Sequence, residues 1–350
     1  MRQHRGQMRK ARRHLFEPAT SDLNANTPGA LRKMEARMEI PKRLYKYRAF
    51  SALTIDLLVS DKVYFADPAS FNDPLDTKPC VHPDLPIDQL EQTLRKIIEN
   101  RIATEMTGAA RSIMYRGPKT MDHIERHSRR QAERIIADIA YNATNPEFTT
   151  APPGPQLQLL AYRLQDELLK AYGRGVLSLA ERNSCPLMWS HYGDQHHGLC
   201  VGYEVPLDVQ KNLHKVQYGG SRLIEASKVA AMLDADETAR HEVDAAALLR
   251  KAWDWRYEKE WRLIGHRGLA DSPLELAEVT FGTRCMNSVK HSVIKALVGR
   301  DKPVKLYEMR EVHGTFKLKR FPLNEQELTA SYPHRARSAS ECFEEIELKR

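Results

Sequence analysis

Residues 188–203 read MWSHYGDQHHGLCVGY, and no other stretch of the chain constrains its fold as much. Eleven residues, Met188 to Gly198, carry a Trp, a Tyr, an Asp and three His, and the apolar run Leu199–Glu204 follows directly. Polar rings this dense beside an apolar strand suit the wall of a pocket better than a core, because each buried ring nitrogen needs a partner. Val176–Ala180 (VLSLA) precedes it as a strand. The stretch is therefore expected as a loop and turn joining two paired strands, with the Trp189 ring buried beneath.

The rest of the chain reads outward from this point. Residues 1–40 lack sustained periodicity and predict a disordered basic leader. Leu44–Arg48 predicts a first strand, with Leu44, Lys46 and Arg48 on one face and Tyr45 and Tyr47 on the other. Ser51 is a natural N-cap for a helix through Leu58, and Lys62–Ala66 is a second strand. The loop DPASFNDPLD, Asp67 to Asp76, is stiffened by Pro68 and Pro74 and presents Asn72, Asp73 and Asp76. Residues 86–172 carry helical periodicity, as in Leu90, Leu94, Ile97 and Ile98, and predict an insertion of three helices. Residues 225–252 are Ala-rich and helical, and Asn287–Leu297 is a further helix. Alternation predicts a strand over Arg256–Gly265, with Glu258, Glu260 and Arg262 on one face and Trp261 anchoring the other. Ala277–Gly282, Lys305–Arg310 and Thr315–Arg320 supply further strands, the last two as a hairpin around His313–Gly314. Several strands follow one another without a helix, which excludes a doubly wound parallel sheet. The prediction is α+β: a central mixed or antiparallel sheet in one domain over 41–323, a helical insertion at about 86–172, and a tail over 324–350.

Charge and cysteine content narrow the class. Of the formal +8, residues 1–43 hold +7 (eleven Lys and Arg against four Asp and Glu), leaving +1 for the remainder. A basic globular face for nucleic acid is therefore not indicated. The leader reads as a disordered arm, as a functional basic arm, or as sequence upstream of a start at Met34 or Met38. The cysteines, Cys80, Cys185, Cys200, Cys285 and Cys342, are odd in number and form no CxxC pair, which predicts a reducing compartment and no cysteine zinc site. No apolar run nears a membrane-spanning length and no secretory signal is evident, so a cytoplasmic location is expected.

LYKYRAF, VYFADPASFNDPLD, GVLSLAERNSCPLMWSHYGDQHHGLCVGYE, WDWRYEKEWRLI and AEVTFG occur in that order between about residues 44 and 320. This series resembles the domain of unknown function 2971 family, most specifically through the Trp-x-His-Tyr-x-x-x-His-x-Gly pattern, in which His196 takes the downstream His position. The resemblance implies a fold and a bacterial or phage-defence context, and no established activity.

Three chemistries remain open. In the first, three features resemble ADP-ribosyltransferase-like enzymes in order: Arg48 at the end of a first strand, Ser178 on a middle strand, and Glu258-Lys259-Glu260 as a late Glu-x-Glu. NAD is then the expected substrate, and no cofactor is required. Arg48 holds the pyrophosphate, with Tyr47, Asn72, Asp73, Asp76, Ser178, Trp189, Tyr192, His196 and Arg262 completing the binding site. Glu260, Glu258 and His191 are the catalytic candidates, Glu260 first among them. The acceptor, protein or nucleic acid, is open. In the second, His191, His196, His197, Asp73, Asp76 and Glu260 ligate the metal of a hydrolase or nuclease, although a His spacing of five or six does not match the helical spacing of HExxH. In the third, the chain is a non-catalytic sensor or partner-binding module, with Trp189 and Tyr192 as packing residues.

Overall fold

β-Branched and aromatic alternation produces a large mixed sheet, and a block of three helices interrupts it in sequence. The computed structural model describes residues 40–115, 117–145, 154–171, 173–334, 338 and 340. Of residues 1–40, expected to be disordered, 1–39 fall outside them.

In chain order the first half contains strand β1 (Arg43–Arg48), helix α1 (Ala52–Val59), β2 (Lys62–Phe65), β3 (Cys80–His82), α2 (Ile87–Ser112), α3 (Thr120–Ala143), α4 (Pro155–Ala171), β4 (Arg174–Ala180) and α5 (Pro186–Tyr192). Then come β5 (Leu199–Glu204), β6 (Leu213–Lys215), β7 (Gln217–Tyr218), β8 (Leu223–Glu225), α6 (Ala226–Leu233), α7 (Glu237–Leu248), β9 (Arg250–Lys251), β10 (Glu260–His266) and β11 (Gly268–Asp271). The chain continues with β12 (Glu275–Phe281), α8 (Asn287–Leu297), β13 (Lys305–Glu311), β14 (Leu318–Pro322) and α9 (Glu325–Ser331). Ser51 caps α1 as expected, its hydroxyl accepting the Thr54 N–H at 3.2 Å.

The eight-stranded sheet has the order β14-β13-β12-β5-β1-β4-β10-β6. Only β12 and β13 run parallel in it; the other neighbours are antiparallel. The expected hairpin of β13 and β14 is present. The α+β class with a mixed sheet is thus the architecture found.

Helices α2, α3 and α4 pack around Leu90, Leu94, Ile97, Ala132, Ile136, Leu160, Leu164 and Leu168, and the same core takes in Val229 and Val243 of α6 and α7. Each buried Leu, Ile or Val among them contributes about 1.5–3 kcal/mol of transfer free energy. Arg126, Arg129, Arg130 and Arg134 lie exposed on the outer side of α3, a solvated face.

Three expectations are corrected. β4 and β5 are not partners: β1 lies between them and pairs with both, so the organising stretch bridges two strands separated by a third. Part of that stretch is the helix α5, opened by Pro186 at its first position, not a loop throughout. Asp194, Gln195 and His196 then take left-handed backbone conformations in succession (φ 51°, 50° and 73°) and turn the chain into β5. Finally, the strand expected over Arg256–Gly265 begins only at Glu260. Trp253–Glu258 is a 3₁₀ turn, and Lys259 is left-handed at φ 45°. Glu258 therefore does not share a strand face with Glu260 and Arg262. Alternation failed there because a left-handed residue resets the direction of every side chain before it.

Candidate functional site

The sheet opens where β1 leaves β4. The two strands pair only at Tyr45 and Ala180. Beyond that pair β1 continues along β5, while Val176 of β4 exchanges both backbone hydrogen bonds with Ala66, at 2.9 and 3.0 Å. The parted strands frame a cavity of about 350 Å³, a size suited to a small ligand. Lys46, Tyr47 and Arg48 line one side; Val176, Ser178 and Leu179 line the other; Tyr64, Phe71, Asn72 and Tyr192 stand around it. Gly198 lets α5 and β5 close against β1: a Cβ there would sit 2.2 Å from the Arg48 carbonyl oxygen.

The β10 flank of the cavity is a buried ionic network. Arg262, fully enclosed, donates through Nη2 to both oxygens of Asp76 at 2.9 and 2.7 Å, through Nε to Glu260 at 2.8 Å, and through Nη1 to the Leu248 carbonyl at 2.6 Å. The Lys251 ammonium lies 2.6 Å from Glu258, 3.0 Å from Glu260 and 3.3 Å from Asp76. The Tyr218 hydroxyl accepts the Glu260 backbone N–H at 2.7 Å. Charges withdrawn from water this far persist only because each has several partners.

The two carboxylates of the Glu258-Lys259-Glu260 turn are pushed apart in acidity. Burial would raise Glu260, but Arg262 and Lys251, with hydrogen bonds from Arg262 and Ser178, overcome it and hold the carboxyl at about 2. Glu258 is raised: burial dominates, Lys251 only partly offsets it, and the Glu260 charge adds to the rise. Its Oε1 accepts the Tyr192 hydroxyl at 2.8 Å. The surroundings of the two carboxyls thus hold Glu260 more firmly as an anion than Glu258. Lys251 itself is held protonated; burial opposes this, and Glu260, Glu258 and Asp76 outweigh it.

The β1 flank is the opposite case. Lys46 and Arg48 carry no hydrogen bond or ion pair to any of the described residues. Burial lowers the Lys46 amine to about 8, with help from the neighbouring Arg48 charge and against the opposing charges of Glu260 and Glu258, and burial lowers Arg48 as well. Two half-buried cations with no ion pair to any of the described residues, facing a cavity, form a seat for an anion.

The structure gathers Tyr47, Arg48, Asn72, Asp76, Ser178, Tyr192, Glu258 and Glu260 around one cavity. Arg262 stands behind it, holding Asp76 and Glu260. The remaining candidates lie off the lining. Asp73 accepts the Trp255 indole N–H at 2.7 Å. His191 is exposed, its ring 6.3 Å from that of Trp255 and 6.4 Å from that of Tyr257. Trp189 is fully buried as expected, donating to the Asn183 carbonyl at 2.8 Å and meeting Tyr47 edge-on at 5.2 Å. His196 stacks on Trp189 and bonds Ser190. The histidines of the organising stretch thus support the cleft from outside. Sequence reasoning missed Lys46 and Lys251 as site residues. Alternation with Arg48 was a signal for Lys46; Lys251, just after an Ala-rich helix, gave none. Among the described residues, no three His, Cys, Asp or Glu side chains are placed to hold a metal ion. The point where Asp76, Glu258 and Glu260 converge is taken by the Lys251 ammonium. No helix among the described residues is long and apolar enough to cross a membrane.

Residues 188–263, from the organising stretch through Arg262, match the family model described as protein of unknown function (DUF2971), in agreement with the resemblance read from the sequence motifs. The matched segment supplies Tyr192, Lys251, Glu258, Glu260 and Arg262 to the site. No curated protein and no solved structure matches the chain.

Proposed function

We propose that the cleft binds a nucleotide and that the protein is an NAD-dependent, ADP-ribosyltransferase-like enzyme. The observation that carries this reading is the placement, around one cavity, of Lys46 and Arg48, which have no ion pair among the described residues, with Glu258, whose carboxyl burial pushes up. Lys46 and Arg48 take the pyrophosphate, for which a guanidinium and an ammonium are complementary. Tyr45, Tyr64, Phe71 and Tyr192 offer rings for the flat ends of the ligand. Glu260, fixed as an anion, faces the ribose and stabilises positive charge as the glycosidic bond to nicotinamide breaks. Glu258 takes the proton of the incoming nucleophile, and the Tyr192 hydroxyl orients it. The setting that goes with this reading is bacterial defence or a toxin, with a protein or nucleic-acid acceptor.

The test is incubation of the purified protein with NAD labelled in the adenylate part, following nicotinamide release and label transfer to protein or nucleic acid. Release by the wild-type chain and its loss in Glu258→Gln, with NAD still bound, supports the reading. Bound NAD with no release assigns the chain as a nucleotide sensor instead. Failure to bind NAD or ADP-ribose overturns the reading.

A further inference from the structure

Lys46 and Arg48 stand two residues apart on β1, about 7 Å along an extended strand, and both line the cavity. They are unlike in chemistry. Arg48 stays charged at any working pH, whereas the Lys46 amine, beside that guanidinium, is lowered to about 8 and is substantially free base at pH 8. The three carboxylates closest to the cavity are already committed to Lys251 and Arg262. A lysine held in a cavity without an ion pair has the properties of an amine nucleophile.

We infer that Lys46 is a reactive amine of the cleft that condenses with small aldehydes or ketones whose anionic group is held by Arg48. This goes beyond the NAD reading and requires only the cleft itself. The neutral amine adds to the carbonyl carbon, forming a C–N bond and a carbinolamine after proton transfer from nitrogen to oxygen. A solvent proton adds to the hydroxyl, which leaves as water while the nitrogen lone pair closes the C=N bond. The proton remaining on the imine nitrogen returns to solvent, so atoms and charge balance and no oxidant or reductant is consumed.

The experiment treats the full chain at pH 8 with pyridoxal 5′-phosphate, or with pyridoxal, then reduces with borohydride and maps the labelled peptides by mass spectrometry. The expected result is one dominant adduct, at Lys46, forming at least tenfold faster than at any other lysine. With the phosphate-free aldehyde, Lys46 labelling should fall at least tenfold, and Arg48→Ala should abolish that difference. Labelling spread over surface lysines with Lys46 no faster overturns the inference, as does equal labelling by the two aldehydes. Wild-type peptide mapping decides the first point without any variant. NAD binding measured on the same unlabelled protein separates the two readings: its absence with Lys46 still reactive removes the nucleotide and leaves this inference standing.

Discussion

The two flanks of the cleft carry similar residue types and opposite electrostatics. On the β10 side, Asp76, Glu258 and Glu260 meet Lys251 and Arg262, and every charge has at least two partners. On the β1 side, Lys46 and Arg48 meet none among the described residues. A saturated network is rigid and costs several kcal/mol when one member is removed. An unsaturated pair contributes nothing comparable to folding and waits for a ligand. The contrast separates residues that build the cleft from residues that use it, although both kinds of side chain look equally polar in the sequence.

The largest expected effect breaks the contrast directly. Arg262→Met leaves Asp76 and Glu260 sharing Lys251 as their remaining cation, and urea denaturation should show a loss of about 3–5 kcal/mol. Arg48→Met strands nothing and should stay within about 1 kcal/mol of wild type, while weakening anion binding. Equal losses from the two substitutions would erase the distinction between the flanks.

Next come the two carboxylates. Glu260→Gln leaves Arg262 and Lys251 short of an acceptor charge and should cost roughly 1–3 kcal/mol. Glu258→Gln keeps the Tyr192 contact and should cost less, yet lower turnover on the order of 10²–10⁴-fold. A Glu258→Gln enzyme with full activity would remove that side chain from the chemistry.

A smaller effect is read in pH. Because Glu260 is held at about 2 against an ordinary 4.5, its ionised state adds stability above 4.5, and that stability is lost as pH falls toward 2. Glu258 acts in the other sense: its pKa is raised in the fold, so ionising it above 4.5 costs stability. Comparing acid unfolding of wild type with Glu260→Gln should show the variant's curve flatter between pH 4.5 and 2. An unchanged acid limb would contradict the buried ion pair.

The smallest effect concerns Lys46. Its amine sits at about 8, so anion affinity should decline as pH rises through that value, and Lys46→Arg should flatten the profile. A wild-type profile flat from pH 7 to 9 would show that Lys46 does not touch the ligand.

Much of this arrangement was legible beforehand, for physical reasons that differ by residue. Strand β1, the Ser51 cap, helix α8 and the β13–β14 hairpin follow from local periodicity and turn chemistry, which a sequence states openly. Arg48, Ser178 and Glu260 were placed on the right strands because each sits in a clear alternating run. What stayed hidden was non-local. Nothing near Val176–Ala180 and Leu199–Glu204 indicates that β1 inserts between them, or that it then departs from β4 to open the cleft. The left-handed Lys259 broke an alternation that looked continuous, moving Glu258 off the strand and giving it a different acidity from Glu260. The histidine-rich stretch drew attention by its chemistry, but its rings mostly support Trp189 and the 3₁₀ turn from outside.

The most direct test is calorimetric titration of ADP-ribose into the wild-type chain and into Arg48→Met and Lys46→Met at pH 7 and two salt concentrations. The account predicts one site per chain, weakened by salt and at least tenfold weaker in each variant, with thermal stability of all three proteins nearly equal. Absence of binding to the wild-type chain, or affinity unchanged in both variants, would contradict it.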